Sequence, residues 1–215
     1  MGIACLMKGY PPNPALELVA EGASLDEIAH HAADCVSCDL YENATQTVFG
    51  EGPVPAAFLL AGEQPGDSED REGAPFVGPA GRVLDRALEE AGIDRADAYV
   101  TNAVKHFKWK PGAGSKPRLH AKPSRGEILA CRPWLEAEII RVDPEVIVLL
   151  GATAAQSLLG TDFRVTRQHG VPVDTHGRRA VATIHPSAVL RAKNDDRELL
   201  YTQLVEDLRV AVGLV

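Results

Sequence analysis

Two of the four cysteines are separated by two residues, in Cys35-Val36-Ser37-Cys38. This spacing is typical of a clamp for a metal ion or an iron–sulfur cluster. Four cysteines in a chain of 215 residues are too few for a disulfide scaffold. The cysteine pattern therefore predicts metal or redox chemistry, and Cys5, near the start of the chain, is left over as a free thiol.

A second set of polar residues follows short apolar segments. Gly62-Glu63-Gln64-Pro65-Gly66 places a carboxylate and an amide on a tight turn, where glycine lets the backbone approach a ligand closely. Asn102 follows one later apolar segment, and His185-Pro186-Ser187 follows another. Phe76 precedes a predicted helix and could stack on a flat ligand, although core packing explains it equally well.

The segment from Ala98 to Gly126 is basic in an otherwise acidic chain. It holds seven Lys or Arg residues and no Asp or Glu, whereas 30 acidic residues outnumber 22 basic ones overall and give a net charge of -8. The net charge alone argues against a polyanionic partner. A basic stretch in an acidic protein nevertheless indicates one face for phosphate, and the alternative is a solvated loop with incidental lysines.

These residues need a scaffold, and strands alternate with helices along the chain. Apolar runs predict strands at 56–61, 99–101, 146–150 and 180–184, and helical spacing predicts helices at 79–91, 152–159 and 195–210. Capping boxes at Ser24/Glu27 and Ser124/Glu127 predict two further helix starts, with Pro133 bending or dividing the second helix. We expect an α/β protein, a three-layer α/β/α sandwich around a central, mostly parallel four-stranded sheet.

In such a sheet, ligands bind at the loops that leave the carboxyl ends of the strands. The turn at 62–66, Asn102 and the segment 185–187 each follow a predicted strand. The sequence therefore predicts that they meet in one pocket.

Four segments, taken together, resemble the motifs of family 4 uracil-DNA glycosylases in order and spacing: 62–66, 75–81, Thr101-Asn102-Ala103-Val104-Lys105 and 185–187. The resemblance extends from about Asp34 to the last helix. It implies the uracil-DNA glycosylase fold, a uracil pocket formed by Gly62, Gln64, Phe76 and Asn102, and catalysis by Glu63, Gln64 and His185.

Two departures from the family 4 pattern resemble the UdgX branch. His106 stands where family 4 enzymes carry a cysteine, and an insertion at 112–120 ends in His120. In UdgX a histidine at this place becomes bonded to the deoxyribose after uracil leaves. The resemblance implies that Glu63 orients His120 for this attack, and ordinary hydrolytic turnover is the alternative.

The chemistry of uracil excision fits these residue types. An enzyme that acts on a base must take it out of the stack and read its Watson–Crick edge. The amide of Asn102 can accept from uracil N3–H and donate to O4, whereas cytosine presents the opposite pattern. Bond cleavage leaves negative charge on uracil, so a donor near O2 is needed, and we assign this role to His185.

Cys35, Cys38, His106 and Cys131 form a possible set of four ligands. Judged by ligand chemistry alone, three thiolates and one imidazole suggest zinc. The resemblance favours a [4Fe–4S] cluster that holds the DNA-binding segments together.

The expected partner is uracil-containing DNA, preferably single-stranded, with free uracil as a product. We expect Lys105, Lys116, Arg118 and Ser187 to contact it.

The expected organisation is one domain over 1–215, with a loosely ordered leader at 1–20. We expect it to act as a monomer in the bacterial cytoplasm near the nucleoid. Apolar runs are too short for a signal peptide or a membrane span. A cluster-stabilised DNA-binding module without catalysis is the rival of another class.

Overall fold

A computed structural model describes residues 10–114 and 118–215 of the chain. Its main sheet has five strands: β1 (Phe58–Gly62), β2 (Ala98–Asn102), β5 (Val146–Leu150), β6 (Pro172–Thr175) and β7 (Arg178–Thr183). They lie side by side in the order β2-β1-β5-β7-β6. The first four in this order are parallel, and β6 is antiparallel to β7 at the edge. The predicted α/β class is confirmed. The sheet has five strands rather than the predicted four, because β6 is added at its edge.

Helices cover both faces of this sheet. They are α1 (Ala15–Ala20), α2 (Leu25–Ala33), α3 (Asp67–Glu72), α4 (Pro79–Ala91), α5 (Arg125–Val142), α6 (Ala152–Leu159), α7 (Val165–Gln168), α8 (Pro186–Arg191) and α9 (Asp195–Val212). Leu60 and Val148 pack with α4 and α9 on one face, whereas Leu59 and Ile147 pack with α5 and α6 on the other. Because successive strand residues point to opposite faces, the central strands are buried on both sides.

A third apolar cluster joins α1, α2 and α5 outside the sheet. It contains Ile28, Cys38, Cys131 and Trp134. Residues 15–20, which the sequence analysis places in a loosely ordered leader, form α1, and Ala15 is fully buried in this cluster. The site predicted for the cysteines therefore lies within a packed core.

Helix ends follow the predicted signals. Ser24 and Ser124 both accept from the backbone N–H three residues later, which completes the two capping boxes. Gly92 ends α4 with φ +84°, in the left-handed region that favours glycine. Pro133 lies inside α5 without dividing it. None of the helices in the described ranges is long and apolar enough to cross a membrane.

A short antiparallel hairpin carries the inserted segment. It consists of β3 (Trp109–Pro111) and β4 (Arg118–His120), with Trp109 opposite His120. The sequence pattern predicts no strands here, because two three-residue strands give too little alternation to recognise. The hairpin places His120 at the base of its second strand, next to the carboxyl edge of the main sheet.

Candidate active site

The predicted loops meet around one cavity of about 690 Å³ at the carboxyl ends of the parallel strands. Every residue proposed for base recognition or catalysis except Gly62 lines it: Glu63, Gln64, Phe76, Asn102, His120 and His185. The rule for parallel sheets thus places these residues correctly.

Gly62 lets the side chains of Asn102 and Phe76 come close together. It ends β1 beside Asn102, its register partner on β2. A Cβ atom on Gly62 would lie 2.5 Å from Asn102 Oδ1 and 2.7 Å from Phe76 Cζ, so a larger residue would push the amide and the ring out of place. The side chain of Asn102 is 3% exposed. Among the described residues its carboxamide has no hydrogen-bond partner, which leaves it available to a ligand.

Phe76 belongs both to the core and to the wall of the cavity. Its ring packs in the core with Leu60 and Leu84 and also lines the cavity. It lies 6.2 Å from the His185 ring at an interplanar angle of 27°. Its φ of +59° is unusual for a bulky residue. Its backbone lies directly against Gly81 of α4, where a Cβ atom would overlap the Phe76 carbonyl oxygen. Phe76 therefore gives the cavity an apolar surface beside the side chains of Asn102 and His185.

His185 is held as a neutral donor. Its Nδ1 accepts from the backbone N–H of Ser187 at 3.2 Å, and a backbone N–H can only donate, so the ring proton of the neutral form lies on Nε2. Burial, together with the nearby Arg191 and His120, lowers the pKa of His185 to about 4. At neutral pH the ring therefore presents Nε2–H.

Ser187 and Arg191 support this arrangement. The Ser187 hydroxyl lies 2.8 Å from His185 Nδ1, and Arg191 Nη1 donates to the same hydroxyl oxygen at 3.0 Å. The predicted contact between Ser187 and DNA would have to replace or share these internal bonds, so it stays a prediction. Sequence reasoning left out Arg191, which lies on α8 at the cavity wall.

Glu63 is held from one side and faces a histidine on the other. The hydroxyl of Thr153, on α6, donates to Glu63 Oε2. The other oxygen, Oε1, lies 3.6 Å from His120 Nε2. Thr153 is a second residue that sequence reasoning missed, although it follows the carboxyl end of β5 by three positions, where the rule for parallel sheets could have found it.

Gln64 lines the cavity, but its side-chain amide is hydrogen-bonded to the hairpin and to the residues that flank it. Its Oε1 accepts from the backbone N–H of Lys108 at 3.2 Å, which fixes the amide orientation. Its Nε2 lies within 3.2 Å of the Lys108 and Ala121 carbonyl oxygens and 2.9 Å from His120 Nε2. Because the amide nitrogen donates, His120 Nε2 carries the lone pair. The expected contact of Gln64 with uracil would compete with these bonds.

His120 is a neutral imidazole at the wall of the cavity, with its Nε2 lone pair bonded to the Gln64 amide. Its side chain is 48% exposed. Partial burial lowers its pKa, and Arg191 acts in the same direction, whereas Glu63 opposes them. A neutral imidazole beside a carboxylate can act as a nucleophile or as a proton acceptor once its lone pair is released from the Gln64 amide.

The basic segment turns much of its charge inward. Arg118, expected to contact DNA, instead binds Asp67 and Asp70 on α3, each at 2.5 Å. The carboxylate of Asp70 is fully buried, so this pair is an internal lock of the hairpin on α3. Lys105 was also expected to contact DNA. It is fully buried in an ion pair with Glu138 and cannot reach a phosphate.

Among the residues of this segment that the structure describes, the exposed basic ones are Lys110, Lys122 and Arg125. Lys116, also predicted to contact DNA, lies outside the described residues. The corrections share one cause: the acidic partners of Lys105 and Arg118 are at least 33 positions away, and charge counting within a segment cannot find them.

The predicted metal ligands lie in and beside the third apolar cluster. Cys35, Cys38 and Cys131 are free thiols. The backbone N–H of Lys105 donates to Cys131 Sγ at 3.1 Å, and Trp134 Nε1 donates to Cys35 Sγ at 3.2 Å. N–H groups that donate to sulfur in this way stabilise the thiolates that bind an iron–sulfur cluster. Within the described ranges no three His, Cys, Asp or Glu side chains are grouped so as to hold a single ion.

His106 is oriented by Thr47. The Thr47 hydroxyl donates to the Ala32 carbonyl oxygen at 3.0 Å, so it accepts from His106 Nε2 at 2.8 Å. This assigns the proton of the neutral ring to Nε2 and leaves Nδ1 as the nitrogen that could bind a metal. Burial lowers the pKa of His106 to about 4. A neutral imidazole can serve as a metal ligand through Nδ1 while its Nε2 stays hydrogen-bonded to Thr47.

Comparisons with known proteins agree with the geometry. The family model described as the uracil DNA glycosylase superfamily matches residues 49–209. A type-4 uracil-DNA glycosylase from Thermotoga maritima is 34% identical over 193 residues, covering 89% of this chain and 94% of that protein. The type-4 enzyme from Archaeoglobus fulgidus is 35% identical and covers 78% of this chain and 83% of its own length. The enzyme of the same name from Sulfurisphaera tokodaii is 33% identical, with 80% and 78% covered.

Proposed function

Because the chain belongs to the uracil DNA glycosylase superfamily, we propose that it excises uracil from DNA by cleaving the N-glycosidic bond. The observation that carries this proposal is the meeting of Asn102, His185 and Glu63 around one cavity. Relatives that match along most of their length are named type-4 uracil-DNA glycosylases, so hydrolysis with normal turnover is the main form of the proposal.

The pocket reads a base that has left the stack. Base extrusion costs a few kcal/mol, and contacts in the pocket must repay it. The Asn102 amide pairs with the N3–H and O4 edge of uracil, and the Phe76 ring lies against the base. Cytosine would place a donor against the amide N–H, so the buried amide would lose a bond. Recognition thus depends on the position of one carboxamide.

Charge separation in the transition state matches the two sides of the site. As the bond from C1′ to N1 breaks, its electron pair stays on uracil, and the His185 Nε2–H donates to O2. A neutral donor of this kind stabilises the developing anion without first binding a proton. The Glu63 carboxylate faces the developing positive charge on the sugar and can accept a proton from an attacking water.

Capture by His120 is a second candidate, favoured by the 3.6 Å distance between His120 Nε2 and Glu63 Oε1. In this reaction the Nε2 lone pair forms a bond to C1′ as the electron pair of the broken bond leaves with uracil. The imidazole gains one positive charge and uracil one negative charge. The Nδ1 proton then passes to solvent, and the uracil anion takes up a proton from solvent to leave as free uracil. The bond from Gln64 to His120 Nε2 has to open first.

The first experiment mixes the protein with labelled oligonucleotides that contain one uracil, single-stranded or duplex, and separates the strands on a denaturing gel. We expect strands that alkali breaks at the uracil position, and intact strands when thymine replaces uracil. An unbroken uracil strand without a shifted band would contradict the proposal. A shifted band that survives boiling and is lost in His120→Ala, but not in His31→Ala on the exposed face of α2, would instead establish capture.

We further propose that Cys35, Cys38, Cys131 and His106 hold a [4Fe–4S] cluster. The four iron atoms of a cluster can bind ligands that lie too far apart to hold a single ion. The N–H groups of Lys105 and Trp134, which donate to cysteine sulfur atoms, would stabilise thiolates. Such a cluster would link α2, α5 and the segment after β2, and so support the hairpin. We expect brown protein that absorbs near 400 nm and yields iron and sulfide in roughly equal amounts of about four each. Colourless, zinc-loaded protein would contradict this assignment.

A further inference from the structure

Glu63 has two carboxylate oxygens with different surroundings. Oε2 accepts from the hydroxyl of Thr153, and Oε1 faces His120 Nε2 across 3.6 Å in the cavity. An ionised carboxylate only accepts hydrogen bonds, so Thr153 is the donor. One oxygen is thus anchored, and the other is turned toward the place where the attacking group must stand.

The Glu63 side chain needs an anchor. Its backbone is fixed, because its carbonyl oxygen accepts from the Val104 N–H at 3.0 Å beside β2. The side chain, however, is 24% exposed and has three rotatable bonds. A free Glu side chain spreads over many rotamers and loses entropy when it is held in one. A donor that is already in place removes part of that cost before the reaction begins.

Thr153 is well suited to be that donor. It is 2% exposed and lies in the first turn of α6, directly after the central strand β5. A threonine in a helix has few χ1 rotamers, and its hydroxyl often bonds to a carbonyl of the preceding turn. In the first turn there is no such intrahelical carbonyl four residues earlier, and the hydroxyl leaves the helix for Glu63.

We propose that Thr153 is a positioning residue of the glycosylase reaction: it aims the Glu63 carboxylate at the attacking group. The inference rests on the proposed function and deepens it. It applies to both candidate reactions, because Glu63 faces the attacking group whether that group is water or His120. Thr153 is not among the described residues that line the cavity, so we expect it to act on the rate of bond cleavage and not on the binding of the flipped base.

The test compares Thr153→Val, which replaces the hydroxyl by a methyl group, with Thr153→Ser, which keeps the donor. With excess enzyme on a uracil oligonucleotide, Thr153→Val should slow uracil release by about 10- to 100-fold, the range expected when a reacting group is misplaced. Thr153→Ser should stay within about threefold of the unchanged protein, since the hydrogen bond remains. Affinity for an oligonucleotide with uncleavable 2′-fluorodeoxyuridine should change less than twofold for both variants.

Thr153→Ala gives a second loss of the donor with a smaller side chain, in case the valine variant does not fold. Glu63→Gln provides the coupling test. Removing the Thr153 hydroxyl in this variant should slow it by less than about twofold, because two residues that act through one contact are not additive.

Release by Thr153→Val and Thr153→Ala at the original rate would overturn the inference. Uracil release by Thr153→Ser as slow as by Thr153→Val would also overturn it. So would a further slowing of about 10- to 100-fold when the Thr153 hydroxyl is removed from the Glu63→Gln variant. These outcomes differ from failure of the proposed function, in which the unchanged protein itself releases no uracil.

Discussion

Replacing Lys105 by Met is expected to lower the free energy of unfolding by about 3–5 kcal/mol, the usual cost of removing one partner from a buried ion pair. Lys105 Nζ contacts the Glu138 carboxylate, Thr101 Oγ1 at 2.6 Å and the Asn102 carbonyl oxygen at 2.8 Å. Both charged side chains are fully buried. Without the ammonium group, Glu138 remains as a carboxylate that neither water nor a cation compensates.

The rest of the network makes this loss specific. Glu138 Oε1 also accepts from the Gly50 N–H at 2.9 Å and the Tyr99 hydroxyl at 3.2 Å. Burial, reinforced by the negative charge of Glu138, raises the pKa of the Tyr99 hydroxyl, which therefore stays a donor. A second change, Glu138→Gln, keeps an acceptor for these groups but removes the charge. The double variant should recover more than half of the stability lost in Lys105→Met.

Urea unfolding of both variants measures these differences. Lys110→Met is the matched control, because Lys110 is exposed on β3 and its loss should change stability by less than about 0.5 kcal/mol. A Lys105→Met variant as stable as the control would contradict the prediction. Since Lys105 also holds the Asn102 carbonyl, this network connects the stability of the fold with the position of the residue proposed to read uracil.

The fold could be predicted where one local signal decides the element. The strand at Val146–Leu150 and the helices at Pro79–Ala91 and Ala152–Leu159 have the predicted bounds, because apolar runs with glycine or proline at their ends define them. The strand β6 was missed, since an edge strand with one face toward solvent gives only a short and partly polar pattern. The helix α3 was missed because Asp67-Ser68-Glu69-Asp70-Arg71-Glu72 reads as a polar loop.

Most members of the site could be predicted, although Arg191 and Thr153 were missed, but the contacts that hold these side chains could not. Three segments at the ends of parallel strands had to meet, whatever their sequence separation. The burial of Lys105, the lock between Arg118 and α3, and the bond from Thr153 to Glu63 all join residues 33 to 90 positions apart. Such contacts depend on how side chains pack, and residue spacing within a segment carries no information about them.

His185→Ala is expected to slow uracil release under single-turnover conditions by about 100- to 1,000-fold, as for the loss of one donor to a developing oxyanion. The reason is the fixed Nε2–H, which the Ser187 N–H on Nδ1 enforces and which points into the cavity. Affinity for the uncleavable oligonucleotide should fall far less, because the donor gains strength only as negative charge develops on uracil. His31→Ala, a change on the exposed face of α2, should leave the rate unaltered.

The pH dependence of the same variant tests whether the donor is neutral. A folded pKa of about 4 keeps His185 uncharged from pH 8 down to about pH 5, well below the usual value near 6.5 for histidine. The ratio of the rates of the unchanged protein and His185→Ala cancels the titration of all groups that both proteins share. We therefore expect a constant ratio between pH 5.5 and 8. A ratio that changes severalfold around pH 6.5 would mean that His185 gains a proton there, and that a charged imidazole, rather than the neutral ring held by Ser187, assists the departure of uracil.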